Sequence, residues 1–256
     1  MLEILNRYQH GFSIVPVLYS FKNNKVYDLL NDEHRVTLET LSNLLHANRG
    51  SLKVALKSLY QLDLAGIDED GRYFLKVSRK TLELIPDGLM EFYKPSFLDF
   101  ISGEGGINNE KLSEKFRETV LGCLKQAIGG WGVGNALLEE LFDGAILVPI
   151  LISLRQKRKT DNDSIPFFSN DGVSVLIEEL FHVRGILNER KLTELGSYLF
   201  NKAFNMAVLY SYWPMYQNIN EILFGDYQSV FKRNSLGYEN HVDRNMNVIG
   251  FSALIN

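Results

Sequence analysis

Leucines recur at three-and-four spacing through the first third of the chain, at Leu38, Leu41, Leu44 and Leu45, then at Leu52, Leu56, Leu59 and Leu62 with Ala55 among them. This period puts each set on one helical face and predicts two helices, over 36–45 and through 52–62, separated by a break at His46-Ala47-Asn48. Thr37 is suited to cap the first. Leu64-Ala65-Gly66-Ile67 and residues 72–77 then read as short strands joined by the turn Asp68-Glu69-Asp70-Gly71. Helix, turn, helix and hairpin in this order, preceded by an apolar segment over 12–30, predict a winged helix. Its core is expected to contain Leu41, Leu44, Leu56 and Leu59.

After Pro86 and Pro95 the texture changes. Gly103-Glu104-Gly105-Gly106 reads as a loop, 110–128 as a helix, and Gly129-Gly130-Trp131-Gly132-Val133-Gly134-Asn135 as a glycine-punctuated turn with Asn135 as a cap. Two helices are predicted beyond it. One is short, over 137–142; the other, over 145–154, is apolar all round, as a buried helix is, and is kinked or started near Pro149. Residues 155–164 form a charged, polar surface loop. From Val173 onward, Leu176, Leu180 and Phe181, followed by Gly185-Ile186-Leu187 and the run 192–200, resemble part of a second winged-helix-like unit. The aromatic stretch 210–224 packs that unit or covers a neighbour. The expected fold is mainly α, a winged-helix subdomain with its small β-hairpin followed by a helical region, without a Rossmann core. The expected boundaries are 1–95, 96–240 and a lead-in over 241–256.

With 256 residues, 45% of them hydrophobic, the chain is long enough to fill one large core or two smaller ones. A formal charge of -4 gives no chain-wide attraction to nucleic acid or to an anionic membrane. The single cysteine, Cys123, excludes an internal disulfide and reads as a buried small apolar residue in a reducing cytoplasm. Met1-Leu2-Glu3-Ile4-Leu5-Asn6-Arg7 lacks the pattern of a signal peptide, and the apolar run 145–154 is too short to span a bilayer. A cytoplasmic protein without a membrane partner is expected.

Catalytic chemistry finds little support in the residues. The glycines at 129–134 tempt a dinucleotide or phosphate reading, but such a loop must follow a buried strand, and the preceding residues look helical. A tight turn with close helix packing is the better reading. The five histidines are scattered and none has the spacing of a metal site on one helix face. No catalytic, cofactor-binding or metal-ligating residue is therefore assigned. His241 and Asp243 project to one side if extended and offer an acid/base pair, against which stands a polar lead-in to a further domain. Arg49, Ser51, Lys53 and Lys57 lie on the helix that a winged helix inserts into a DNA groove, yet Asp68, Glu69 and Asp70 make the wing tip acidic. Protein packing is favoured over nucleic acid.

Lys25-Val26-Tyr27-Asp28-Leu29-Leu30 and the leucine-patterned region 37–66 with its hairpin resemble the N-terminal winged helix of S-adenosylmethionine-dependent O-methyltransferases. More specific are Gly130-Trp131-Gly132-Val133-Gly134-Asn135, Leu141-Phe142-Asp143-Gly144-Ala145, Leu195-Gly196 and the run from His241 through Gly250. Together these resemble the helical lid and lead-in of polyketide synthase methyltransferases, in particular loading modules of the apratoxin and curacin type. In that family the lead-in continues into a Rossmann core; here only Phe251-Ser252-Ala253-Leu254-Ile255-Asn256 follows, so no cofactor is expected. The resemblance implies a non-catalytic adaptor beside a downstream GNAT-like domain and an acyl carrier protein. His241, Asp243 and Arg244 would be a vestigial motif, while Tyr212, Trp213, Tyr216 and Phe224 would dock the neighbouring domain. Its alternatives are the lid of a methyltransferase whose core lies outside this chain, and a winged-helix DNA-binding regulator.

Overall fold

A computed structural model describes residues 1–30, 34–94, 97, 114–157, 171–210 and 212–232. The elements run α1 (Leu2–Asn23), α2 (Val26–Leu29), β1 (Val36–Thr37), α3 (Leu38–Leu44), α4 (Arg49–Gln61), β2 (Ala65–Ile67), β3 (Arg72–Leu75) and α5 (Arg79–Glu83). A 3₁₀ helix (Asp87–Tyr93) leads to α6 (Glu114–Gly129), α7 (Ala136–Lys157), α8 (Asp171–Val183), β4 (Leu187–Asn188) and β5 (Lys191–Leu192). The described chain ends with α9 (Glu194–Tyr210), α10 (Trp213–Gln217), α11 (Ile219–Phe224) and α12 (Tyr227–Lys232). The fold is mainly α with two small antiparallel sheets, and no Rossmann-type core occurs among the described residues. Two compact units interleave along the chain, one built from Met1–Phe12 and Pro86–Ser211, the other from Ser13–Ile85 and the residues from Tyr212 on.

In the second unit the winged-helix order is present: β1, α3, α4, then the β2–β3 hairpin, in a sheet of order β1-β3-β2. Thr37 caps α3, its hydroxyl accepting from the Thr40 amide at 3.2 Å. Asn48 caps α4, its Oδ1 accepting from Gly50 N at 3.1 Å and Ser51 N at 3.3 Å, and Asn48 N donates to the Leu223 carbonyl of α11 at 2.8 Å. The four residues between the helices, 45–48, turn because His46 adopts a positive φ of 49°. Leu52, Ala55, Leu56 and Leu59 are fully buried, as their spacing requires. Leu41 is buried too, but Leu44 is 60% exposed, which corrects its placement in the core. On a helix as short as α3 the inward arc is set by Leu38, Leu41 and Leu45, and Leu44 lies about 60° beyond Leu41 on the far side of that arc.

In the first unit α7 is one continuous helix, not the two expected over 137–142 and 145–154. Pro149 removes a single hydrogen bond, and burial of every residue from Leu141 to Leu154 holds the helix through it. The helix also takes in Arg155, Gln156 and Lys157, which the sequence reading placed in a loop; the rest of that tract, like the loop Gly103–Gly106, lies outside the described residues. α7 packs against α9, and α6 against α8 and the 3₁₀ helix. Gly11 and Gly144 let α1 and α7 approach closely: a Cβ on Gly144 would collide with the Tyr8 carbonyl, and one on Gly11 with that of Leu141. A second proline, Pro16 in α1, leaves the Phe12 carbonyl without its helical donor. The buried Tyr93 hydroxyl supplies one, donating to that carbonyl at 2.7 Å while its ring stacks on Phe12 with centroids 4.8 Å apart.

Candidate functional site

Two of the residues quoted for the lid resemblance, Trp131 and Asp143, meet at a buried charge in the first unit. Asp143 sits on α7 within the apolar run and is 2% exposed. Trp131, from the glycine turn, donates its indole N–H to Asp143 Oδ1 at 2.9 Å. Arg184, just past the end of α8, donates Nε to Oδ2 at 2.5 Å and Nη2 to Oδ1 at 2.9 Å, with a further bond from Nη2 to the Ala127 carbonyl at 2.7 Å. This is a two-pronged guanidinium clamp, the geometry in which arginine holds a carboxylate most strongly. The Trp131 ring meets Phe142 edge-on with centroids 5.6 Å apart.

All three side-chain contacts to Asp143 come from N–H donors, so the carboxylate is the protonation state they fit. Burial pushes the Asp143 carboxyl above its ordinary value, and the bonds from Arg184 and Trp131 oppose that push. For Arg184, burial works to lower the value, but the Asp143 carboxylate more than offsets it and the guanidinium ends above its usual range. The cluster therefore stores its charge as an ion pair and offers no unpaired acid or base. The turn that aims Trp131 follows a helix and uses positive φ at Gly130 (88°), Gly132 (70°) and Gly134 (64°), values a side chain would strain. Asn135 then caps α7, its Oδ1 accepting from Leu138 N at 3.1 Å.

The winged helix presents its charges to solvent. On the wing, Arg72 pairs with Asp70, Arg35 lies 3.4 Å from Asp68, and the Arg35 guanidinium covers the Phe74 ring at 4.6 Å from its centroid. Arg35 and Arg72 hold the Asp68 carboxyl below its ordinary value, with the Arg72 backbone amide contributing most. On α4, Arg49, Lys53 and Lys57 are exposed and Ser51 is half-buried.

The four aromatics assigned to docking occupy α10, α11 and the residue before them. Tyr212 (4% exposed) and Tyr216 (2%) are buried in the second unit, while Trp213 and Phe224 are half-buried. The Tyr216 hydroxyl shares a hydrogen bond with Ser13 at 3.0 Å, and burial pushes its pKa up to about 12. Phe224 lies 6.3 Å, ring to ring, from Phe21. His241, Asp243 and Arg244 lie outside the described residues. Among the described residues, no group of three or more His, Cys, Asp or Glu is arranged to hold a metal, and no helix is long and apolar enough to cross a membrane.

Sequence reasoning missed Arg184 and the role of Asp143. A signal existed: Asp143 is the lone ionisable residue between Leu141 and Leu154, and a charge at such a position requires a partner.

Helices around two short hairpins, with a winged-helix arrangement, define the class of this chain. More particularly, residues 1–65 match the AprA N-terminal domain, and residues 143–226 match the AprA winged helix domain. The second match covers the helix–hairpin–helix α8–β4–β5–α9, where the second winged-helix-like unit was expected. No curated protein matches the chain.

Proposed function

We propose that this chain is a non-catalytic adaptor region of a polyketide synthase loading module, scaffolding a neighbouring GNAT-like domain and an acyl carrier protein while a starter unit is loaded. The observation that carries the reading is the pair of AprA domain matches over 1–65 and 143–226, which point to a polyketide-synthase-associated region of the apratoxin type. The internal chemistry supports it. Trp131 and Asp143, from the two motifs of the lid resemblance, are occupied with each other and with Arg184. Such a cluster fixes a turn and two helices in place, which is what a scaffold requires. Trp213 and Phe224, each half-buried, are the docking residues, and Tyr212 and Tyr216 hold their helices from beneath.

The test is reconstitution of starter loading with the GNAT-like domain and carrier protein, with and without this chain. Association of the chain with the GNAT-like domain, weakened by Trp213→Ala and Phe224→Ala, and slower loading when it is omitted are the expected results. One-to-one micromolar binding of S-adenosylmethionine to the chain by calorimetry, or loading unchanged by its omission, would overturn the reading.

A further inference from the structure

The second helix of the winged helix, α4, has the sequence Arg-Gly-Ser-Leu-Lys-Val-Ala-Leu-Lys-Ser-Leu-Tyr-Gln, with three cations and no acid. Its buried residues Leu52, Ala55, Leu56, Ser58 and Leu59 occupy one side. Arg49, Lys53 and Lys57, four residues apart, fall within about 80° of the opposite side, with Tyr60 (47% exposed) between them. They span two turns, about 12 Å along the axis.

Four other cations of this unit are neutralised from within: Arg72 by Asp70 and Asp68, Arg35 by Asp68, Lys76 by Asp63, Arg79 by Asp28 and Glu83; Lys25 and Lys80 are exposed singly, away from α4. Among the described residues, Arg49, Lys53 and Lys57 pair with no carboxylate. In a chain of net charge -4, a two-turn stripe of unpaired cations on a rigid helix is complementary to a compact row of anions.

We propose that this face of α4 docks an acidic helix of a partner protein, one that presents carboxylates over two turns to match Arg49, Lys53 and Lys57. The matching unit is short because the positive stripe is short. A nucleic-acid duplex fits less well: a winged helix that enters a groove brings its wing to the phosphate backbone, and here the wing tip carries Asp68, Glu69 and Asp70. The two arginines that face those acids are already engaged by them. Tyr60 adds a flat apolar ring to the stripe, of the kind enriched in protein interfaces.

The identity of the partner, the acyl carrier protein, rests on the adaptor reading; the position and charge of the surface do not. The experiment titrates the full chain with that carrier protein and, separately, with a 20-base-pair duplex, at low and at high salt. Binding of the carrier protein that weakens with salt, and that falls about tenfold or more when Arg49, Lys53 and Lys57 are together changed to Glu, is the expected result. The control is Lys80→Glu, an exposed cation on α5, which leaves binding unchanged. Far-UV circular dichroism of the triple variant shows that the exposed changes leave the helices folded. Carrier-protein binding that is indifferent to the triple change overturns this proposal and leaves the adaptor reading standing. Tighter binding of the duplex than of the carrier protein, lost in the triple variant, assigns the face to nucleic acid and overturns it as well. Failure of the chain to associate with the GNAT-like domain, with carrier binding intact, counts against the adaptor reading alone.

Discussion

Asp70 and Arg72 pair on the wing with side chains 66% and 44% exposed, whereas Asp143 and Arg184 pair in the other unit with 3% and 18% exposed. The residue types are the same and both pairs are in direct contact, but the consequences differ. On the wing, water solvates either partner if the other is removed, so the pair adds little. In the buried cluster, removing one partner leaves a charge largely shielded from water and without its counterion, and the cost approaches that of a stranded ion. Burial, not the number of ion pairs, decides which charges hold this protein together.

The largest effect expected from breaking this contrast is at Asp143. Asp143→Ala should destabilise the first unit by about 3–5 kcal/mol, because the largely covered Arg184 guanidinium loses its counterion and the Trp131 N–H loses its acceptor. Replacing both charges, Asp143→Leu with Arg184→Met, should recover much of that loss, since an apolar pair of similar volume strands no charge. Chemical denaturation of the three proteins measures both quantities. A double variant no more stable than Asp143→Ala would show that the clamp contributes through geometry that apolar packing does not replace.

A slightly smaller effect is expected inside the winged helix, where the contrast is between two leucines. Leu56→Ala should cost about 2–5 kcal/mol, the range for emptying a fully buried leucine site, while Leu44→Ala should change stability little because its side chain already meets water. Thermal unfolding that ranked them in reverse order would place the inward face of α3 elsewhere.

These two leucines also show where the sequence was informative. In α4, thirteen residues long, the three-and-four period spans enough turns to fix the buried face, and each of Leu52, Ala55, Leu56 and Leu59 is buried. In α3, seven residues long, the same period leaves the ends of the arc undetermined, and Leu44 fell on the wrong side. Caps were legible at Thr37 and Asn135 because a side-chain oxygen ahead of a helix has one local task. Pro149 misled because a proline's local cost was weighed without the burial that outweighs it. The Asp143 clamp was the least legible part. Its three side chains come from positions 131, 143 and 184, and no local pattern states that Arg184 returns to Asp143.

Cys123 sharpens the comparison by a different route, since its burial acts on a neutral group. It is 5% exposed, and burial pushes its thiol up to about 11, with Glu91 adding to the effect. Between about pH 8.5 and that value the unfolded chain loses the proton while the folded one keeps it, so the unfolded state binds fewer protons and stability falls as pH rises. Relative to Cys123→Ala, the wild-type protein should therefore lose about 1–2 kcal/mol on going from pH 8 to pH 10. Alkylation of the native thiol at pH 8.5 should also be much slower than that of a free cysteine, because the thiolate is the reacting form. Parallel pH dependences for the two proteins would mean that the thiol is solvated.

The smallest effect is expected on the wing. Asp70→Asn removes the exposed partner of Arg72 but keeps the side chain's size, and Asp68 remains within 3.6 Å of Arg72 Nε to take its place. The turn itself does not depend on Asp70: Asp68 Oδ1 accepts from the Asp70 and Arg72 amides at 3.1 and 2.9 Å, and Gly71 supplies the positive φ of 74°. The unfolding midpoint should stay within experimental error at moderate salt, where exposed pairs are further screened. If Asp70→Asn instead lowered the midpoint as far as Asp143→Ala, exposure would not be the variable that separates the two clusters. Asp68→Asn provides the intermediate case, because it weakens two backbone hydrogen bonds and two arginine contacts at once, and its effect should lie between those of Asp70→Asn and Asp143→Ala.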